Sequence, residues 1–370
     1  MYRFNIIPVR HLTESEMDCI SAKLVHQPMG DMLLAWCRYI RETASNPLEI
    51  KMIRIQKNDS FLGIGILTII HKLPLSNLMP SASLGKLVQW GEDRFRIPPF
   101  LSIGILGIPL MHRPGLLTFA PVSTDEGALI YTEMARFLRK HRLGMHALCI
   151  CTDPSFSADQ WMKTAGLISQ PFSCRAMLDY PYKSFEEYYA TLSVSKRKDI
   201  RRTKNVLQRY AGQIELSTDF QTLAGEVTKL FSNTADSKGG FHLIEIGKRF
   251  FTELSRLEKC FPRLILVRQE HQLVGFFLIF QSADTLYLKS CGLDYDLSLK
   301  MRAYFNLYYA AMEYAVKHNL TKIDCGLTTN YFKESKINCQ LTPVTYWIDF
   351  YHWFFLPVKM IRKIFPTLIS

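Results

Sequence analysis

The chain has 370 residues, 48% of them hydrophobic and 21% charged, and a formal net charge of +12 at pH 7. That length exceeds one ordinary core and implies two domains, the composition excludes a disordered chain, and the charge favours anionic partners such as nucleotides, RNA or lipid headgroups. Nine scattered cysteines, an odd count with no CxxC pair, read as buried thiols of a reduced, intracellular protein, while the opening segment has no apolar signal core and no apolar run reaches the roughly 18 residues of a membrane span.

In chain order, Lys51 to Ile70 sets two apolar β runs on either side of Lys57-Asn58-Asp59-Ser60, which is turn chemistry. The stretch from His71 to Pro99, rich in Pro and Ser, reads as an inserted loop or flap. A helical stripe of Ile130, Met134, Phe137 and Leu138 ends at Lys140-His141-x-Leu143, where cations suit a helix C-terminus. A strand begins near His146; Cys149 and Cys151 share one of its faces and His146 takes the other, which is no metal-ligand constellation. Cys174 to Tyr180 reads as a closing strand.

The second half opens with a helix that Ser193 or Ser195 can cap and Gly212 ends, with Ile200, Thr203, Leu207 and Tyr210 as a narrow packed stripe. Between Lys196 and Arg209 it carries seven cations and one acid. That excess exceeds what solubility requires and favours contact with a phosphate of coenzyme A, of a sugar nucleotide or of RNA over a merely solvated face. Arg263 to Phe280 is a second hairpin, its two apolar runs flanking Gln269-Glu270-His271-Gln272. A second helical stripe, Phe305, Tyr309, Met312 and Val316, ends at Lys317-His318-x-Leu320, and a strand starts at Lys322. Val344 to Phe350 reads as the strand that closes this half.

The two halves repeat one order: hairpin, further strand, helix, strand, closing strand. Gly63 and Gly275 sit at matching places, each two residues after the first apolar residue of its hairpin's second strand. The expected division is residues 1–182 with an insertion at 71–99, residues 183–350, and a tail of 351–370 whose aromatics and cations either lie on an anionic membrane face or pack over the enzyme.

From about Tyr188 to Phe350 this layout resembles the tandem acetyltransferase (GNAT-like) fold of the Fem family of aminoacyl transferases, with its relatives labelled peptidoglycan- or cellulose-biosynthesis acetyltransferase-like. Four segments carry the resemblance: the Ser/Lys/Arg helix from Ser193 to Lys204, the Gly275 hairpin, Ala303 to Tyr309, and Ile323-Asp324-Cys325-Gly326 followed by Tyr331-Phe332-Lys333. The resemblance implies an α/β protein of two tandem GNAT-like domains that moves an acyl or aminoacyl group from a carrier to an amine. Relatives usually carry a glycine four residues after the lysine; here Glu334 to Asn338 has none.

Acyl transfer needs a neutral amine, a polarised carbonyl and a held carrier. The resemblance makes Lys333 the cation beside the developing oxyanion. Asp324, at a strand end before Cys325-Gly326, either orients the amine or accepts its proton, or else binds loop amides. Tyr304, Asn306, Tyr308 and Phe332 are the expected substrate side, and Lys198, Arg201 and Arg202 the expected phosphate contacts. The Gln/Arg-x-x-Gly-x-Gly/Ala loop with which simple acetyltransferases cradle a pyrophosphate is missing from Gly292–Lys300 and from Val122–Gly127. Of the donors considered, acyl-coenzyme A therefore has no support in these residues, and aminoacyl-tRNA or a protein-bound thioester stays open. No metal is expected, and no Ser-His-Asp signature occurs. Expected partners are a small-molecule or lipid-linked amine acceptor, tRNA, and the inner face of a membrane, in the cytoplasm. The competing reading is a non-catalytic module that binds RNA or a membrane surface on the same fold.

Overall fold

The computed structural model describes residues 2–23, 29–42, 48–74, 100–107, 116–119, 122–141, 143–152, 162–163, 167–237, 247–257, 261–282, 284–327 and 330–350. They form two compact units. The first falls within Met1–Val25, Ile40–Ser173 and Pro343–Ser370, the second within His26–Tyr39 and Cys174–Thr342.

Unit 1 begins with β1 (Tyr2–Pro8) and α1 (Glu14–Lys23). Helix α2 (Met29–Glu42) follows and contributes its residues up to Tyr39 to unit 2. Next come β2 (Leu48–Lys57), β3 (Ser60–Pro74), β4 (Phe100–Leu106), the short β5 (Leu116–Thr118) on β3, α3 (Thr124–His141) and β6 (Ala147–Thr152). Strands β1 to β4 are antiparallel neighbours, and β4 and β6 run parallel across the α3 crossover. The hairpin turn is where the sequence puts it. Asn58 and Asp59 take φ of 48° and 65°, the left-handed pair of a tight two-residue turn that suits the twist of the strands. The apolar stripe of α3 buries Ile130, Met134 and Leu138 with Ile53, Ile55 and Ile69 of the sheet.

Unit 2 takes up β7 (Ile168–Asp179) from Cys174 onward, then α4 (Phe185–Thr191), α5 (Val194–Arg209), β8 (Gly212–Ser217), α6 (Phe220–Ser237) and α7 (Lys248–Leu254). Strands β9 (Arg263–Gln269), β10 (Gln272–Ser282) and β11 (Thr285–Leu293) follow, then α8 (Tyr295–Met301), α9 (Ala303–Lys317) and β12 (Lys322–Asp324). Strands β8 to β11 are antiparallel, and β11 and β12 run parallel across α9. This is the order of unit 1 again. The match reaches single residues: each hairpin slips its register by one residue just before its glycine, at Leu62 before Gly63 and at Val274 before Gly275.

Three details differ from the sequence reading. Strand β3 runs on through His71 to Pro74, so the first four residues of the expected insertion are strand, and residues 75–99 lie outside the described residues, as does the tail 351–370. The closing strands are exchanged. Met177–Asp179 of β7, expected to finish the first half, pair antiparallel with β12 of unit 2. Thr345–Phe350 of β13 (Gln340–Phe350), expected to finish the second, pair with β6 of unit 1. There Trp347 is buried in the unit 1 core, and the buried Asp349 carboxylate accepts from Arg139 Nε at 2.6 Å. An amphipathic closing strand fits either sheet, and the choice rests on long-range pairing that local sequence does not carry. The third detail is α2. Trp36 packs on Phe250 of α7 with ring centroids 4.4 Å apart, so a segment near the N-terminus completes the core of unit 2.

Helix α6 lies hard against β11, and Gly292 is what allows it. A methyl there would meet Phe276 Cε1 at 2.2 Å, and the backbone of Leu230 and Phe231 at 2.7 Å. Two of these atoms belong to a helix backbone and cannot swing aside. Gly292→Ala is expected to destabilise the protein by about 2–3 kcal/mol, the range of an overpacked core, read as a lower urea midpoint at unchanged m-value.

Candidate functional site

The site is built within unit 2, at the C-terminal end of β12. Asp324 is 1% exposed. Its Oδ1 accepts the Gly326 amide at 2.9 Å, and its Oδ2 lies 3.4 Å from Lys289 Nζ on β11 and 3.7 Å from an Arg175 guanidinium nitrogen on β7. The side chains of both cations are more than nine-tenths buried. The loop-amide role considered for Asp324 is therefore present, alongside an ion cluster with Lys289 and Arg175 that the sequence reading missed. No local pattern marks those two residues. They lie 149 and 35 positions from Asp324 and meet it only because β7, β12 and β11 are adjacent in the sheet.

Past Gly326, which sits at φ 77°, a helical turn (Asn330–Phe332) widens into a π turn (Lys333–Ile337). π turns are common at functional positions because they re-aim side chains. Here the turn sends Lys333 inward, so that this lysine is 1% exposed between the exposed Tyr331 and Glu334. Its ammonium comes within 4.0 Å of where a side chain on Gly326 would begin. The turn is locked from several sides. Cys339 N–H donates to the Lys333 carbonyl, the Tyr188 hydroxyl donates to the Ile337 carbonyl, and the Cys325 and Cys339 sulfurs are 3.7 Å apart. That thiol contact and burial push the Cys325 thiol well above its ordinary range, with Lys333 opposing weakly, so Cys325 is an inert packing thiol. Asn338 closes the turn at φ 71°, which is what a glycine would have supplied.

Helix α9 provides the aromatic wall. Phe332 packs on Tyr304, Phe305 and Tyr308 with centroids 5.6, 4.7 and 5.6 Å away. The Tyr304 and Tyr308 hydroxyls are 3.2 Å apart. Burial raises the Tyr308 hydroxyl well above its ordinary range, so it stays protonated at any working pH, whereas Tyr304 is half-buried. Tyr304, Tyr308 and Phe332 are thus brought together, while Lys333, next to Phe332 in the chain, is buried beside Gly326. Asn306 is not turned to this cluster: it is 1% exposed, and its amide donates to the carbonyls of Arg302 and Thr203, tying α9 to α5. Lys198, Arg201 and Arg202 lie on the outward face of α5, all exposed. The helix meets the π turn with other residues, through Lys196 to Asn338 and through Asp199 to Lys336.

Among the described residues no cluster of metal-ligating side chains occurs, and no helix is long and apolar enough to cross a membrane. His146, the residue just before β6, accepts the Ser102 backbone N–H at 2.9 Å through Nδ1.

Residues 116–353 match the FemAB-like family, described as peptidoglycan biosynthesis/recognition. The chain belongs to this family. The FemAB-like match covers more than half of the sequence and includes every candidate residue named above. No curated protein matches the chain. Among solved structures, FemX is similar with a TM-score of 0.55 at 12% identity, covering 99% of this chain and 100% of its own. A tandem GNAT protein from the clavulanic acid biosynthesis pathway gives 0.49 at 10% identity, covering 95% of this chain and 99% of its own. The C-terminal domain of a putative lysylphosphatidylglycerol synthetase from Agrobacterium fabrum gives 0.47 at 9%, covering 93% and 96%. At 12% identity the likeness to FemX is one of fold. The FemAB-like chain is an α/β protein of two tandem GNAT-like units, in agreement with the repeat written into its strands.

Proposed function

We propose that this FemAB-like protein transfers an acyl or aminoacyl group from a carrier to an amine acceptor, with Lys333 as the cation that stabilises the oxyanion. The observation that carries this is the inward, buried Lys333, whose ammonium lies 4.0 Å from where a side chain on Gly326 would begin, just past the end of β12. The acceptor amine, as the free base, attacks the carbonyl carbon. The carbonyl π electrons move to oxygen, and the negative charge there faces Lys333 in a site shielded from water, where one such contact is worth far more than in solvent. Collapse expels the carrier's oxygen or sulfur, and the proton of the former amine leaves with it or to water. Tyr304 and Phe332 hold the acceptor. Tyr308, whose hydroxyl shares a hydrogen bond with that of Tyr304, keeps the Tyr304 hydroxyl oriented. Asp324 is assigned an orienting role rather than that of a base, because its oxygens are engaged by Lys289, Arg175 and Gly326.

The family description and this chemistry point to an acceptor carrying the amine of a peptidoglycan precursor peptide, and to aminoacyl-tRNA ahead of acyl-coenzyme A as donor, since the pyrophosphate loop is missing. The test is transfer of label from charged tRNA, or from an acyl-coenzyme A panel, to such a peptide, with native mass spectrometry recording donor binding. Label is expected in an amide bond to the peptide amine. Absence of transfer from either donor class, with neither one bound, would sink the reading.

A further inference from the structure

Helix α5 carries charge of two kinds, and the structure separates them. On its flanks the charges are used internally. Lys196 donates to Asn338, Arg197 to the Ala190 carbonyl and Lys204 to Glu313, while Asp199 holds Lys336. Its opposite side buries Ile200, Thr203 and Leu207. The third side is different. At about 100° per residue, Val194, Lys198, Arg201, Arg202, Asn205 and Arg209 fall within one arc of about 100°, a stripe about 22 Å long. All six are exposed, none is acidic, and Val194 is 58% exposed. Arg201 reaches the Tyr189 hydroxyl at 3.4 Å; Lys198, Arg202 and Arg209 make no ion pair among the described residues. Beside α5, helix α8 carries the exposed Asp296, Leu299 and Lys300, with Leu299 73% exposed.

We infer that this stripe docks the protein on an anionic lipid leaflet. A straight row of cations on long aliphatic stems suits a plane of phosphates, because the stems lie along the interface while the charges reach the headgroups. Val194 and Leu299 decide between leaflet and nucleic acid. A duplex backbone offers phosphates but nothing for exposed aliphatic side chains, whereas the headgroup–acyl boundary takes both. The inference is independent of the transfer chemistry: it rests on α5 and α8 alone, and binding is read without turnover.

The experiment is flotation of the full chain with vesicles of phosphatidylcholine, with and without phosphatidylglycerol, at two salt concentrations. The protein is expected to float with the anionic vesicles, less so at high salt, and to stay behind with phosphatidylcholine alone. Each cation near such a surface contributes about fivefold. The Lys198→Gln/Arg202→Gln/Arg209→Gln variant should therefore lose affinity by about a hundredfold, with its thermal midpoint and circular dichroism unchanged because all three side chains are exposed. Equal binding to both vesicle types, no binding to either, or undiminished binding of the variant overturns the inference. Stripe-dependent binding to an RNA duplex without vesicle binding overturns it in favour of RNA.

Discussion

Lys333→Met is expected to lower kcat by about 100- to 1,000-fold with KM changed by less than about twofold. The magnitude is that of removing one oxyanion donor from a preorganised site. The split between constants follows from timing, because the negative charge exists only once the carbonyl has been attacked, so losing its partner raises the barrier without weakening the ground-state complex. Methionine suits the test since Lys333 is 1% exposed and methionine fills a similar volume with an unbranched, flexible side chain that carries no charge, with the circular dichroism and thermal midpoint of the variant recorded beside its turnover. Lys336→Ala is the control. That lysine stands three residues on, half-exposed and paired with Asp199, so its loss should change turnover by less than about twofold. Equal loss in both variants would mean that the π turn as a whole, and not the Lys333 ammonium, supports activity.

Much of this architecture is legible in the sequence where the determinant is local. The tight hairpin at Asn58-Asp59, the glycine after each bulge, the two helical stripes and their Lys-His ends all follow from neighbouring residues, and the structure reproduces them. The Phe332-Lys333 pair is also visible as a short motif, although its inward aim depends on a π turn that no pattern announces. The glycine missing after Lys333 has a plain physical substitute in Asn338, one position further along, because asparagine tolerates the left-handed region. What local reading cannot supply is pairing across the sheet. It gives the closing strands to the wrong halves, leaves α2 without a role, and sees Asp324 without Lys289 and Arg175. Asn306 shows the converse. A polar residue in an aromatic helix looks like a ligand contact, yet the carbonyls of Arg302 and Thr203 claim its amide in a helix–helix bond.

That ion cluster carries the largest stability effect. Asp324→Ala removes the carboxylate that lies within 4 Å of two buried cations and caps the Gly326 amide. Deleting one side of a buried ion pair costs about 3–5 kcal/mol, because the charge left behind has neither water nor its partner. A marginally stable domain loses a large part of its total stability in this way. Urea denaturation should show the midpoint falling at unchanged m-value. Asp324→Asn should fall between wild type and alanine, since the amide oxygen can still accept from Gly326 while the ionic attraction is gone. The decisive step is the double variant. Adding Lys289→Met to Asp324→Ala removes one of the stranded cations, so the double variant should be more stable than Asp324→Ala alone, a positive coupling that independent sites do not show. Additive losses, or an Asp324→Ala cost below about 1 kcal/mol, would mean that Lys289 and Asp324 are neighbours without being a pair, and the orienting role given to Asp324 would go with them.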